Sequence, residues 1–182
     1  MSLEAVLKKN PIVPVVKADS VDEALKIIEQ LKAKNISIAE FTLRTPNAFQ
    51  VLTKILEMEL EMTIGVGTIL SVDQMLSCHD IGAEFLVSPG TTQSLLETAK
   101  AYGIDYLPGA VTPSEIMTAR GLGFKILKFF PAEAMGGINL LKNYQAVFPD
   151  VSFCATGGIK DHNQDEYLSL SNIIAIGSSA VI

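Results

Sequence analysis

Tryptophan is absent from this chain, and cysteine and histidine occur only twice each. Cys78 and Cys154 supply neither a disulfide framework nor a metal-ligand spacing, and read as reduced core thiols of a cytoplasmic protein. His79 lies in a helical stretch and His162 opens a later one; without HxH or HExxH spacing, no metal ion is expected. An excess of positive charge is missing too. Fourteen Lys and Arg against 20 Asp and Glu give a net charge of −6, which excludes the basic face of a nucleic-acid binder. No apolar run approaches the ~18–20 residues of a membrane span, and MSLEAVLKKN lacks the apolar stretch of a signal peptide. No linker, low-complexity tract or block of charge divides the 182 residues. They read as one domain, 1–182, with a short N-terminal helix at about 2–9 behind a Ser2 cap.

What is present is alternation. Eight short apolar runs fall at 12–16, 37–43, 62–68, 84–89, 105–110, 124–130, 152–158 and 172–179. Amphipathic stretches separate them. Val21, Ala24, Leu25, Ile28 and Leu31 keep a helical period behind Asp19 or Ser20; Pro46 opens a stretch carrying Phe49, Val51, Leu52 and Ile55; Thr112-Pro113-Ser114-Glu115 opens another. Strands alternating with helices specify a parallel sheet, and eight units at near-even spacing specify a closed (β/α)8 TIM barrel. The competing open, doubly wound sheet would want a Gly-x-Gly-x-x-Gly turn after the first strand, and none is there. The chain given stops at Ile182, directly after the eighth run, so the barrel's eighth helix is expected to be missing from it.

In such a barrel the chemistry sits at the C-terminal ends of the strands. Parity then separates the lysines of the sixth run, FKILKFF. Ile126, Lys128 and Phe130 share one face, and Lys125, Leu127 and Phe129 the other. Lys128 is thereby expected inside the barrel, among apolar neighbours. An ordinary lysine is only about 0.1% neutral near pH 7.4, and a nucleophile must be neutral. Desolvation and a nearby cation favour the neutral amine, whereas an adjacent carboxylate opposes it. Glu40, breaking the apolar run SIAEFTL, is that carboxylate; it is either a proton shuttle or a plain ion-pair partner of Lys128. Arg44 offers a planar fork for a substrate carboxylate. Lys17, in the polar loop start KADS, is a rival nucleophile, and Lys160, after TGGI, is placed to bind an anion instead. Gly157-Gly158 and Gly177, after the seventh and eighth runs, stand where barrels commonly hold phosphate on backbone N–H groups.

The motifs NPIVPVV, EFTLRT, GVGT, LVSPG, LPGA, KFFPAE, ATGGI and IGSS, in this order, resemble the 2-keto-3-deoxy-6-phosphogluconate (KDPG) aldolase family, which also cleaves 4-hydroxy-2-oxoglutarate (KHG). The resemblance spans essentially the whole chain. It implies a class I, metal-independent aldolase without cofactor, commonly a homotrimer, acting on small 2-keto acids. Lys128 would form the Schiff base and Glu40 would move protons. Arg44 and Thr68 would hold the pyruvyl carboxylate, with Pro89, Phe130 and Thr156 shaping the pocket. Gly157, Gly158 and Ser179 would bind phosphate. The chain departs from the family pattern at Ser178, between Gly177 and Ser179, where a second glycine is usual and a side chain would either tighten or crowd phosphate binding. Two other classes compete: a sugar-phosphate epimerase and a non-catalytic phosphosugar-binding barrel, neither of which needs an inward lysine.

Overall fold

Each apolar run becomes a strand where branched and aromatic residues cluster, and the amphipathic stretches become helices, five of them behind a hydroxyl cap. The computed structural model describes residues 2–180. Its strands are β1 Ile12–Val16, β2 Ile38–Thr42, β3 Thr63–Gly67, β4 Phe85–Val87, β5 Tyr106–Leu107, β6 Ile126–Phe129, β7 Ser152–Thr156 and β8 Ile173–Ser178. Helix α1 (Leu3–Lys9) precedes them. Helices α2 (Val21–Ala33), α3 (Ala48–Leu56), α4 (Val72–Asp80), α5 (Gln93–Tyr102), α6 (Pro113–Gly121), α7 (Gly137–Val147) and α8 (Gln164–Leu168) follow β1 to β7 in turn. The described residues thus hold eight α-helices, the first lying ahead of β1 and none behind β8. The hydroxyls of Ser2, Ser20, Ser71, Thr92 and Thr112 each accept a backbone N–H in the first turn of the helix they open. Pro46 does not open α3: that helix begins at Ala48, and Phe49 is exposed rather than core.

The strands pair in parallel in the order β5-β4-β3-β2-β1-β8-β7-β6. The sheet closes between β5 and β6 through a parallel bridge of Gly109 with Lys128. Lys128 N donates to Pro108 O at 2.8 Å, and Ala110 N donates to Lys128 O at 2.9 Å. Closure excludes the open, doubly wound alternative.

Two cores result. The larger lies between strands and helices, with Phe41, Leu86, Leu127, Phe129, Phe153 and Ile176 facing outward from the sheet. The smaller fills the barrel's lower interior: Val13, Ile38, Phe85, Val87, Leu107, Cys154 and Ala175 meet Leu3 and Leu7 of α1. Helix α1 therefore plugs the N-terminal end of the barrel. Two residues further along the same inward faces, the apolar layer gives way to polar groups: Ile38 to Glu40, Ile126 to Lys128, Cys154 to Thr156. That change of layer is what builds a site at the opposite end.

Candidate active site

Strand β6 carries Lys128 inward, where its side chain is only 2% exposed. Its Nζ lies 3.1 and 3.3 Å from the two carboxylate oxygens of Glu40 on β2, which is equally sealed. The ring of Phe130 stands 5.4 Å from the same Nζ. The ion-pair reading of Lys128 is therefore physically realised, and it coincides with the geometry a proton shuttle requires. Lys125 points the other way, exposed and paired with Asp150 at 3.3 Å. Lys17 and Lys160 are exposed.

Glu40 can lie where it does because β3 ends in a glycine. A Cβ on Gly67 would stand 2.0 Å from Glu40 Oε1. Reading the sequence did not single this residue out; the signal was the alternation in GVG, which sets Gly65 and Gly67 on one face of the strand. Thr42, two residues past Glu40, turns its hydroxyl to Val16 O at 3.0 Å, a structural bond.

Arg44 Nε donates to Thr68 Oγ1 at 2.9 Å. Among the described residues no carboxylate pairs with Arg44, which leaves its outer N–H groups for an anion. Thr68 holds φ +66°, a left-handed conformation that costs a β-branched residue of order 1–3 kcal/mol. Strain of that size persists where the surrounding structure overrides it, and here it presents the hydroxyl to the arginine. Pro89 and Phe130 are half-buried, and Thr156 is buried with its hydroxyl lacking any hydrogen-bond partner within the protein.

Gly157 and Gly158 follow β7 with φ of +103° and +82°, values open to glycine and strained for any L side chain. A Cβ on Gly157 would touch Phe130 Cδ2 at 3.3 Å, so the glycine turn adjoins the wall of the lysine pocket. Ser179 is exposed directly after β8. Ser178 does not crowd that end. It is buried, its hydroxyl donates to Ile159 O and accepts from Ala180 N, each at 3.2 Å, and it shares the outward parity of Ile176. A cavity of about 330 Å³ lined by Leu43, Pro46, Phe49 and Ser77 lies on the helical flank and contains none of these residues. Among the described residues, no helix is long and apolar enough to cross a membrane, and no three His, Cys, Asp or Glu side chains gather to hold a metal ion.

The family model for KDPG and KHG aldolase matches residues 3–182. The chain belongs to the KDPG/KHG aldolase family. The KHG/KDPG aldolase of Escherichia coli K12 is 37% identical over 181 residues, covering 100% of this chain and 85% of that one. The 2-dehydro-3-deoxy-phosphogluconate aldolase of Pseudoalteromonas atlantica is 38% identical over 179 residues, 98% of this chain and 83% of that one. The KDPG aldolase of Legionella pneumophila, 39% identical, superposes with a TM-score of 0.95 over 98% of this chain and 87% of its own; its crystal structure holds pyruvate captured at low pH as a covalent carbinolamine. The likeness to KDPG/KHG aldolases thus extends through the barrel from α1 to β8.

Proposed function

We infer that this protein is a class I, metal-independent aldolase. It cleaves 2-keto-3-deoxy-6-phosphogluconate to pyruvate and glyceraldehyde 3-phosphate, and 4-hydroxy-2-oxoglutarate to pyruvate and glyoxylate. The observation that carries the reading is the sealed Lys128–Glu40 pair at the strand ends of the barrel. Moving a proton from Nζ to the carboxylate neutralises both members, so the amine becomes nucleophilic without leaving an unbalanced charge in a dry site. The neutral amine attacks the C2 carbonyl to form a carbinolamine. Glu40 returns the proton to the departing hydroxyl, water leaves, and the protonated imine remains. Removal of the C4 hydroxyl proton then drives cleavage of C3–C4. Its electron pair flows into the imine to give an enamine, and the aldehyde departs. Protonation at C3 and hydrolysis release pyruvate and restore the amine.

In this reading Arg44 and Thr68 hold the pyruvyl carboxylate, Thr156 offers its unpartnered hydroxyl to the sugar chain, and Pro89 and Phe130 wall the pocket. The N–H groups of the Gly157-Gly158 turn, together with Ser179, take the phosphate. The homotrimer and the cytoplasmic setting belong to the same proposal, supported by the family resemblance and by two buried free thiols.

Pyruvate with borohydride tests it directly. A reduced pyruvyl adduct is expected on Lys128, located by peptide mass spectrometry and absent from Lys128→Ala. A folded wild-type chain that traps no adduct would sink the imine mechanism and favour the epimerase or binding barrel.

A further inference from the structure

We infer that Ser88 and Tyr106 form a positioning device for Lys128, acting through the backbone of Gly109; the inference rests on Lys128 being the imine-forming residue. The barrel closes where its sheet is weakest, since β5 has two residues. What closes it is the backbone of Lys128 itself, tied by its N–H to Pro108 O and by its C=O to Ala110 N. Any displacement of residues 108–110 is therefore handed to the reactive lysine.

That segment has little regular structure to hold it, and Pro108 has no N–H to give. Gly109 N–H is directed instead to Ser88 Oγ at 3.4 Å. Ser88 is fully buried, and its oxygen lies 2.5 Å from the hydroxyl of Tyr106. The Tyr106 ring is fixed in turn by an edge contact with Phe124, centroids 5.8 Å apart. Pro89 completes the clamp, because a Cβ on Gly109 would stand 2.4 Å from its carbonyl carbon and oxygen. The end of β4, the start of β5 and the closing segment thus share one hydroxyl. Tyr106 belongs to the core between strands and helices, away from the barrel mouth, so it acts on the site through the backbone rather than by touching substrate.

Ser88→Ala leaves Gly109 N–H without its partner and removes the bond from Ser88 to the Tyr106 hydroxyl. Tyr106→Phe keeps the ring and removes one end of the bond. Misplacement of a reacting group by ~1 Å costs on the order of 10²-fold in rate. Ser88→Ala is expected to lower kcat by about 10- to 100-fold with little change in KM, and to slow borohydride trapping of pyruvate in parallel. Tyr106→Phe should move both in the same direction by less, and the double variant should be no slower than Ser88→Ala, as for groups acting as one unit. Rates are taken per folded molecule, from circular dichroism and the thermal midpoint. Variants that lose thermal stability yet trap pyruvate at the wild-type rate would overturn the inference and leave the network purely structural. Should Ser88→Ala fail to fold, Ser88→Cys, a poorer acceptor of similar volume, and Tyr106→Phe are read by the same rates. Wild-type trapping is the control: its absence removes the lysine mechanism and this inference with it, whereas wild-type trapping with equal rates in the variants rejects this inference alone.

Discussion

Glu40 and Lys128 share a space that almost no solvent reaches. Ion pairs so enclosed seldom add stability, since desolvating two charges offsets most of their attraction. The pair is better understood as held for chemistry, and Gly67 is what permits it. Replacing Gly67 by alanine sets a methyl group into the carboxylate, 2.0 Å from Oε1, and Glu40 must leave Lys128 to make room. The φ of Gly67 lies outside the positive range, so the effect is steric rather than conformational. Removing a positioned acid–base group costs ~10²–10⁴-fold. Gly67→Ala is therefore expected to cut kcat by about 10²-fold or more while the circular dichroism of the barrel persists. Activity within a few-fold of wild type would show that Glu40 has no need of its position. Inward parity made Lys128 and Glu40 legible in the sequence. The role of Gly67 was hidden because it depends on the β2–β3 register, with Glu40 opposite Gly65 and Thr42 opposite Gly67, and on where one side chain turns. The direction of Ser178 was hidden for the same kind of reason: its hydroxyl bonds to Ile159 O and Ala180 N, partners that the motif does not reveal.

At the level of elements, legibility followed local chemistry. Thr-Pro-Ser-Glu at 112–115 marks a helix start in the sequence, and the structure makes it a capping box: Thr112 Oγ1 accepts from Glu115 N, and Glu115 Oε2 accepts from the backbone N–H groups of Val111 and Thr112. Thr112→Ala is expected to cost about 1 kcal/mol in urea unfolding. The carboxylate adds a pH signature. Burial alone would raise the pKa of Glu115, but the bonds from Thr112 and Val111 outweigh it and hold it below the ordinary 4.5. Its contribution is present above that value and is lost as pH falls through the lower folded value. Glu115→Gln should therefore flatten the stability profile on the acid side alone. Proline without a capping side chain does not fix a boundary. Pro46 looked like a helix start but lies in the turn before Asn47. The fifth run spans 105–110, yet only Tyr106 and Leu107 form the strand; Pro108 and Gly109 follow, and Gly109 keeps only an isolated parallel bridge to Lys128.

Across the whole molecule, one end of the barrel is sealed so that the other can be polar. Leu7 of α1 is fully buried against the interior strand residues, and Cys154 lies in that same cluster, one layer below Thr156. Burial pushes the Cys154 thiol up to about 12, so in the folded protein it stays protonated and unreactive at pH 8. Cys78, against the outer core, is pushed up to about 11 for the same reason. Leu7→Ala removes apolar contact and opens a cavity beneath the strands, an expected loss of about 2–5 kcal/mol. The site should not notice, because Glu40 and Lys128 occupy the layer beyond the apolar plug. The expected outcome is a lower denaturation midpoint, faster labelling of Cys154 by a thiol reagent located by mass spectrometry, and an unchanged rate of pyruvate trapping per folded molecule. Slower trapping in the folded variant would mean instead that α1 sets the height of the polar layer, joining plug and site into one packed column.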